Sequence, residues 1–186
     1  MMGKWIVIEG MDCIQKTQIL HSLTQKLPNS IQPPRMPRSV SDYLGSFSDA
    51  NIQHSFDFLR SHLIRDFSLK SLKRNQNVVC DRFLELSLMQ SQSQLAKALL
   101  RSLVSRARPD LTVMLILSHE QKVSHFLSRS KSQEWISHQL AAQESRESAQ
   151  LSFGHVDLVV DLSQESIRDT TQEILDQLLE FKENHC

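Results

Sequence analysis

The sequence predicts an α/β fold in which a parallel sheet is covered by helices on both faces. Short apolar runs rich in branched residues alternate with long stretches of helical spacing. The stretches between the runs are too long for hairpins, so successive strands run parallel and their crossovers cover both faces. A chain of 186 residues buries one good core and is short for two, so residues 1–186 are read as a single domain.

Trp5–Ile8 is the opening strand, and helical spacing follows over Lys16–Lys26. Pro28 to Asp49 carries Pro33-Pro34, Pro37 and many serines, and reads as a loop with room for one short helix. Ile52–Lys73 has the spacing of a long helix and Val78–Cys80 that of a buried strand. Leu86–Arg106 then reads as helix, Leu111–Leu117 as strand, and His119–Ser128 and Gln133–Gln150 as helices. Val156–Leu162 is the last strand and Gln164–Glu183 the closing helix. Ligands of parallel sheets collect at the carboxyl ends of the strands, where Gly10, Asp81 and the residues after Leu117 lie.

The first of these ends carries the strongest motif. Gly10-Met-Asp-Cys-Ile-Gln15-Lys16-Thr17 is a phosphate-binding loop pattern with Gln15 in place of its second glycine. A strand that turns tightly into a helix aims several backbone N–H groups at one spot, and the helix end adds roughly half a positive charge there. Polyphosphate suits that spot, with Gly10 opening the turn. Lys16 would reach the outer phosphates, and the Thr17 hydroxyl would help hold Mg²⁺. Gln15 works against this in two ways: a Cβ costs about 1–2 kcal/mol in a left-handed conformation, and the side chain crowds the phosphate channel.

Composition excludes several classes. Lys plus Arg and Asp plus Glu both total 21, so the chain lacks the charge footprint of a nucleic-acid or membrane binder, and phosphate binding must be local. Cys13, Cys80 and Cys186 have no metal-ligand spacing, and with no secretory segment they imply reduced thiols in a cytoplasm-like compartment. Cys13 sits in the loop, where oxidation would block binding. No apolar run approaches a membrane span, and the scattered histidines form no catalytic pattern.

Further features follow in order: Met36-Pro37-Arg38 in the long connection, Phe56 and Arg60 one helical turn apart, Asp81-Arg82-Phe83 after the second buried strand, and Arg108-Pro109-Asp110-Leu111 before the next. Together with Ile6-Val-Ile-Glu-Gly-Met-Asp12 and Lys16-Thr17, they make the chain resemble the thymidylate kinases, which phosphorylate dTMP with ATP, over nearly its whole length. The resemblance implies a P-loop NTPase-like fold of the nucleoside monophosphate kinase type, with a parallel five-stranded sheet. Residues 1–27 would form strand, loop and helix, and residues 119–150 a helical lid region.

The resemblance also implies roles. Asp12 would face the deoxyribose 3′-hydroxyl and the transferring phosphate, Arg38 would grip the dTMP phosphate, Phe56 would stack on thymine, and Arg60 would bond the base's carbonyl edge. Arg82 would span donor and acceptor phosphates, with Asp81 and Thr17 at Mg²⁺. Guanidinium forks match phosphate oxygens, and an aromatic face suits a planar base. Members of the family are commonly homodimers.

The chain departs from the family at several positions. Gln18 replaces a second loop hydroxyl, and Phe83, Leu86 and Ser87 alter the segment that lines the nucleoside pocket, which bears on acceptor choice. Residues 11–15 contain no arginine, so the lid must supply the transition-state cation, for which Arg129, with Lys131, is the candidate. Such a cation is worth roughly 10³–10⁵ in rate. Two alternatives follow: a catalytically weak paralogue that binds nucleotide or a protein partner, and a kinase for another nucleoside monophosphate.

Overall fold

The structure, a computed structural model, describes residues 3–11, 13–34, 49–83, 93–104, 108–128, 132–152, 156–164 and 166–183. Its strands are β1 (Trp5–Gly10), β2 (Ser30–Ile31), β3 (Asn77–Asp81), β4 (Leu111–Ile116) and β5 (Leu158–Asp161). Its helices are α1 (Ile14–Lys26), α2 (Ala50–Leu72), α3 (Gln94–Val104), α4 (His119–Leu127), α5 (Gln133–Ser152) and α6 (Ile167–Glu183). The strands form one five-stranded sheet in the order β2-β3-β1-β4-β5, and every neighbouring pair is parallel. This is the α/β fold expected.

Alternation along β1 assigns the two faces. Ile6 and Ile8 point to one side and join Ile19, Leu20 and Leu23 of α1, Phe126 of α4, Ile136 of α5 and Ile174 and Leu178 of α6. Trp5 and Val7 point to the other side and join Val78, Cys80 and Phe83, with Ala96, Leu100 and Leu103 of α3 and partly buried Phe58, Ile64 and Phe67 of α2. Because both faces are covered, β1 is buried along its whole length and its sequence reads as a continuous apolar run.

Two expectations are revised. Ser30–Ile31, inside the segment read as loop, pairs with Asn77 and Val78 as the edge strand. Two residues are too few to show a period, so only the neighbour reveals it. The expected helix Leu86–Arg106 is observed as Gln94–Val104, and residues 84–92 and 105–107 lie outside the described set.

Short polar side chains stitch the amino-terminal edge of the sheet. Asn77 Oδ1 accepts the Lys4 N–H (2.8 Å), Asp110 Oδ2 accepts the Trp5 N–H (2.8 Å), and Asp157 Oδ2 accepts the Thr112 N–H (2.7 Å). Each bond joins one strand start to its neighbour and so pins the register there. Asp110 Oδ1 also pairs with Lys4 Nζ at 2.9 Å. The Arg108-Pro109-Asp110 motif therefore serves the sheet at the edge opposite the phosphate loop. No helix among the described residues is long and apolar enough to cross a membrane.

Cys80 lies fully buried under α2, where its Sγ accepts the Trp5 indole N–H at 3.2 Å. Burial above all pushes its thiol up to about 12, against hydrogen bonds from Trp5 and Ser68 that act the other way.

Two outcomes are expected. Asp110→Ala should lower unfolding stability by about 1–3 kcal/mol in urea titrations, because the Trp5 N–H loses its acceptor, while Asp110→Asn, which keeps an acceptor oxygen, should lose less. Cys80 should resist alkylation in the native protein at pH 8 and react on unfolding. Its thiol ionises later in the folded chain than in the unfolded one, so its contribution to stability is complete below pH 9 and declines as pH rises toward 12. Peptide mapping after alkylation and urea titrations of the parent and Cys80→Ala across that range check both.

Candidate nucleotide site

The chain leaves β1 toward β2 and β3 on one side, and later adds β4 and β5 on the other. The strand order therefore reverses at β1, and ligands of such sheets collect at the carboxyl end of the strand where this happens. Gly10 sits at that point with φ +114, and a Cβ there would lie 2.4 Å from the Leu115 carbonyl oxygen. Only glycine fits both the backbone turn and the close approach of β4.

The helix begins earlier than its sequence period indicates, at Ile14 rather than Lys16. Cys13 is its N-cap, and the Cys13 Sγ accepts the Lys16 N–H at 3.3 Å. Glutamine is a good helix former, and Gln15 lies in the first helical turn. It is not among the residues with positive φ, so the expected left-handed strain at Gln15 is absent. Residues 11–13 separate strand from helix. Cys13 is thus a structural cap of the loop. The hydroxyl of exposed Thr17 reaches back to the Cys13 carbonyl in a long contact of 3.4 Å.

Lys16 folds back over the turn. Its ammonium donates to the Gly10 carbonyl at 3.3 Å and pairs with Asp81 Oδ1 at 2.8 Å. The Lys16 side chain is 2% exposed and that of Asp81 29%. An ammonium so buried is tolerated because a carboxylate and a carbonyl face it. Arg82 approaches from the other side, and its guanidinium donates to the same Gly10 carbonyl at 3.0 Å. Two cations and one carboxylate thus converge where β1 and β3 end. Arg82 holds this position with φ +65, a left-handed backbone that costs a residue with Cβ about 1–2 kcal/mol. Strain of this kind concentrates at functional sites.

Helix α2 carries two further expected residues, Phe56 and Arg60, in its first half. A short turn joins α2 to β3, so the helix runs antiparallel to the strand and carries its first half toward the carboxyl edge. Ser68 of α2 meets Cys80 near the end of β3, so Arg60 lies about 12 Å beyond that contact and Phe56 about one turn farther. Both side chains are half-buried. Asp12, Arg38 and Arg129, with Leu86, Ser87 and Lys131, lie outside the described residues.

After β4, a capping box on Ser118 and Gln121 starts α4. Lys122 Nζ of that helix pairs with Glu147 Oε2 of α5 at 2.5 Å, and Gln143 Nε2 bonds the other oxygen at 3.1 Å. Phe126 and Trp135 meet edge to face with ring centroids 5.7 Å apart. The region is helical, as expected, and its two helices are locked by a buried ion pair that the sequence period did not mark.

Sequence reasoning also passed over Glu9. It is 5% exposed at the end of β1, and its Oε1 accepts the Phe83 N–H at 3.1 Å. A carboxylate closing an otherwise apolar strand was the available signal. Among the described residues no group of three or more His, Cys, Asp or Glu side chains forms a metal cage. Thr17 and Asp81 are hard oxygen donors that suit Mg²⁺ arriving with substrate phosphates, a mode that needs only one or two protein ligands.

No family model matches the sequence, and no curated protein matches it. Solved structures do. The chain is similar to a thymidylate kinase from Candida albicans, with TM-score 0.67 and 20% identity, covering 100% of this chain and 94% of that one. It is similar to the thymidylate kinase of Ehrlichia chaffeensis, with TM-score 0.65 and 17% identity, covering 96% and 99%. It shares the fold of these two structures.

Gln15→Gly should lower stability by about 0.5–1 kcal/mol, since it removes a helix former from an unstrained first turn. Thermal and urea unfolding check this; a gain in stability would show that Gln15 is strained after all.

Proposed function

We propose that the chain is a single-domain nucleoside monophosphate kinase of the thymidylate kinase type, transferring the γ-phosphoryl group of ATP to dTMP. The observation that supports it is the meeting of Lys16, Arg82 and Asp81 at the Gly10 carbonyl, at the carboxyl end of β1 in a nucleotide-kinase fold. Two cations at one helix start suit a substrate whose charge shifts onto phosphate oxygens during reaction.

In this reading a dTMP phosphate oxygen attacks the γ-phosphorus in line, the bond to the β–γ bridging oxygen breaks, and ADP leaves. No protein nucleophile takes part. Lys16 would exchange its hold on Asp81 for the donor's β- and γ-oxygens, and Arg82 would span donor and acceptor. Asp12, Arg38, Phe56 and Arg60 would orient dTMP, and Arg129 would supply charge from the lid region. Mg²⁺, held by Thr17 and Asp81, would neutralise phosphate charge. A cytoplasmic location and a homodimer belong to the same reading.

Two observations favour alternatives. The turn of only residues 11–13 before α1 favours a protein that binds ATP but turns over slowly. The Candida albicans neighbour is described by its broad substrate specificity, which favours a wider range of acceptors here too.

Incubating the protein with ATP, Mg²⁺ and a panel of nucleoside monophosphates at high enzyme concentration should yield dTDP in a single turnover. Lys16→Ala and Arg82→Ala should each lower the rate by about 10²-fold or more. No dTDP despite measurable ATP binding would replace this reading with the binding protein, and preference for another acceptor would reassign the substrate.

A further inference from the structure

The corner that follows β3 is held at two points, one on each side of its left-handed residue. Before it, the Arg82 N–H donates to the Ile8 carbonyl at 3.1 Å. After it, the Phe83 N–H donates to Glu9 Oε1 at 3.1 Å. The first bond fixes the peptide that enters Arg82, and the second fixes the peptide that leaves it. Together they define both backbone dihedrals of a residue that would relax elsewhere if left alone.

The Phe83 ring packs edge to face on Trp5, with centroids 4.8 Å apart. That contact anchors the side chain below the sheet but does not determine which way the 82–83 peptide faces. The Glu9 carboxylate does, because a flipped peptide would turn a carbonyl oxygen toward a buried anion. The guanidinium of Arg82 then reaches the Gly10 carbonyl, one residue along from Glu9 itself.

We propose that Glu9 is a positioning residue: by accepting the Phe83 N–H, its carboxylate holds Arg82 left-handed and so aims the guanidinium at the phosphate site. The inference rests on the kinase reading for its effect on rate, but its structural step does not. Preorganisation of this kind governs turnover because displacement of a charged group by about 1 Å costs up to about 10²-fold.

The test compares Glu9→Ala with Glu9→Gln, whose amide oxygen can still accept the Phe83 N–H. Hydrogen exchange at Phe83 should speed up in Glu9→Ala and stay near the parent in Glu9→Gln. In steady state, Glu9→Ala should lower kcat by about 10–100-fold with KM for ATP changed less than about threefold, and Glu9→Gln should restore most of the rate. In the Arg82→Ala background, Glu9→Ala should add no further loss, because a residue acting through Arg82 has nothing left to position. Additive losses, or a kcat unaffected by Glu9→Ala, would overturn the inference, as would unchanged exchange at Phe83. Inorganic pyrophosphate binding, measured by calorimetry on the parent and Arg82→Ala, separates the two readings. Binding that is absent or independent of Arg82 defeats the site itself, whereas Arg82-dependent binding that Glu9→Ala leaves intact defeats only the role of Glu9.

Discussion

The contact between Lys16 and Asp81 organises the carboxyl edge of this protein. A nearly buried ammonium requires an anion, and Asp81, which it meets, belongs to β3 rather than to the helix that carries the lysine. Satisfying that requirement ties the start of α1 to the end of β3, and the shared Gly10 carbonyl brings Arg82 into the same cluster. Two cationic groups gather at one carbonyl, Lys16 nearly buried and Arg82 half-buried.

The two edges of the sheet divide the labour. Asn77, Asp110 and Asp157 use short polar side chains to bind neighbouring strand starts, and this edge carries register. The opposite edge carries a positive-φ glycine, a left-handed arginine and a buried lysine, all of which weaken a fold considered alone. A parallel sheet accommodates both, because every strand ends at the same edge and every crossover helix begins or ends there.

Similarity to thymidylate kinase structures at 17–20% identity fits this division. Most surface positions are free to drift. Gln15 lies inside α1, where its side chain is not forced into the left-handed region.

Periodicity by itself determined the fold class and four of the strands, and the motif after Ile8 marked the tight turn at Gly10, since each rests on neighbours within a few residues. The pairing of Phe56 with Arg60 on one helix was legible for the same reason. The edge strand Ser30–Ile31, the start of α1 at Ile14, the anchoring of Phe83 by Glu9 and the structural duty of Asp110 were not. Three of these depend on partners far along the chain, Ser30 with Asn77, Phe83 with Glu9 and Asp110 with Trp5, whereas the start of α1 rests on the local cap that Cys13 gives the Lys16 N–H. A local pattern records which face of an element is apolar. Only the folded chain decides which distant carboxylate or carbonyl a buried polar group will meet, because that choice follows from strand order and register.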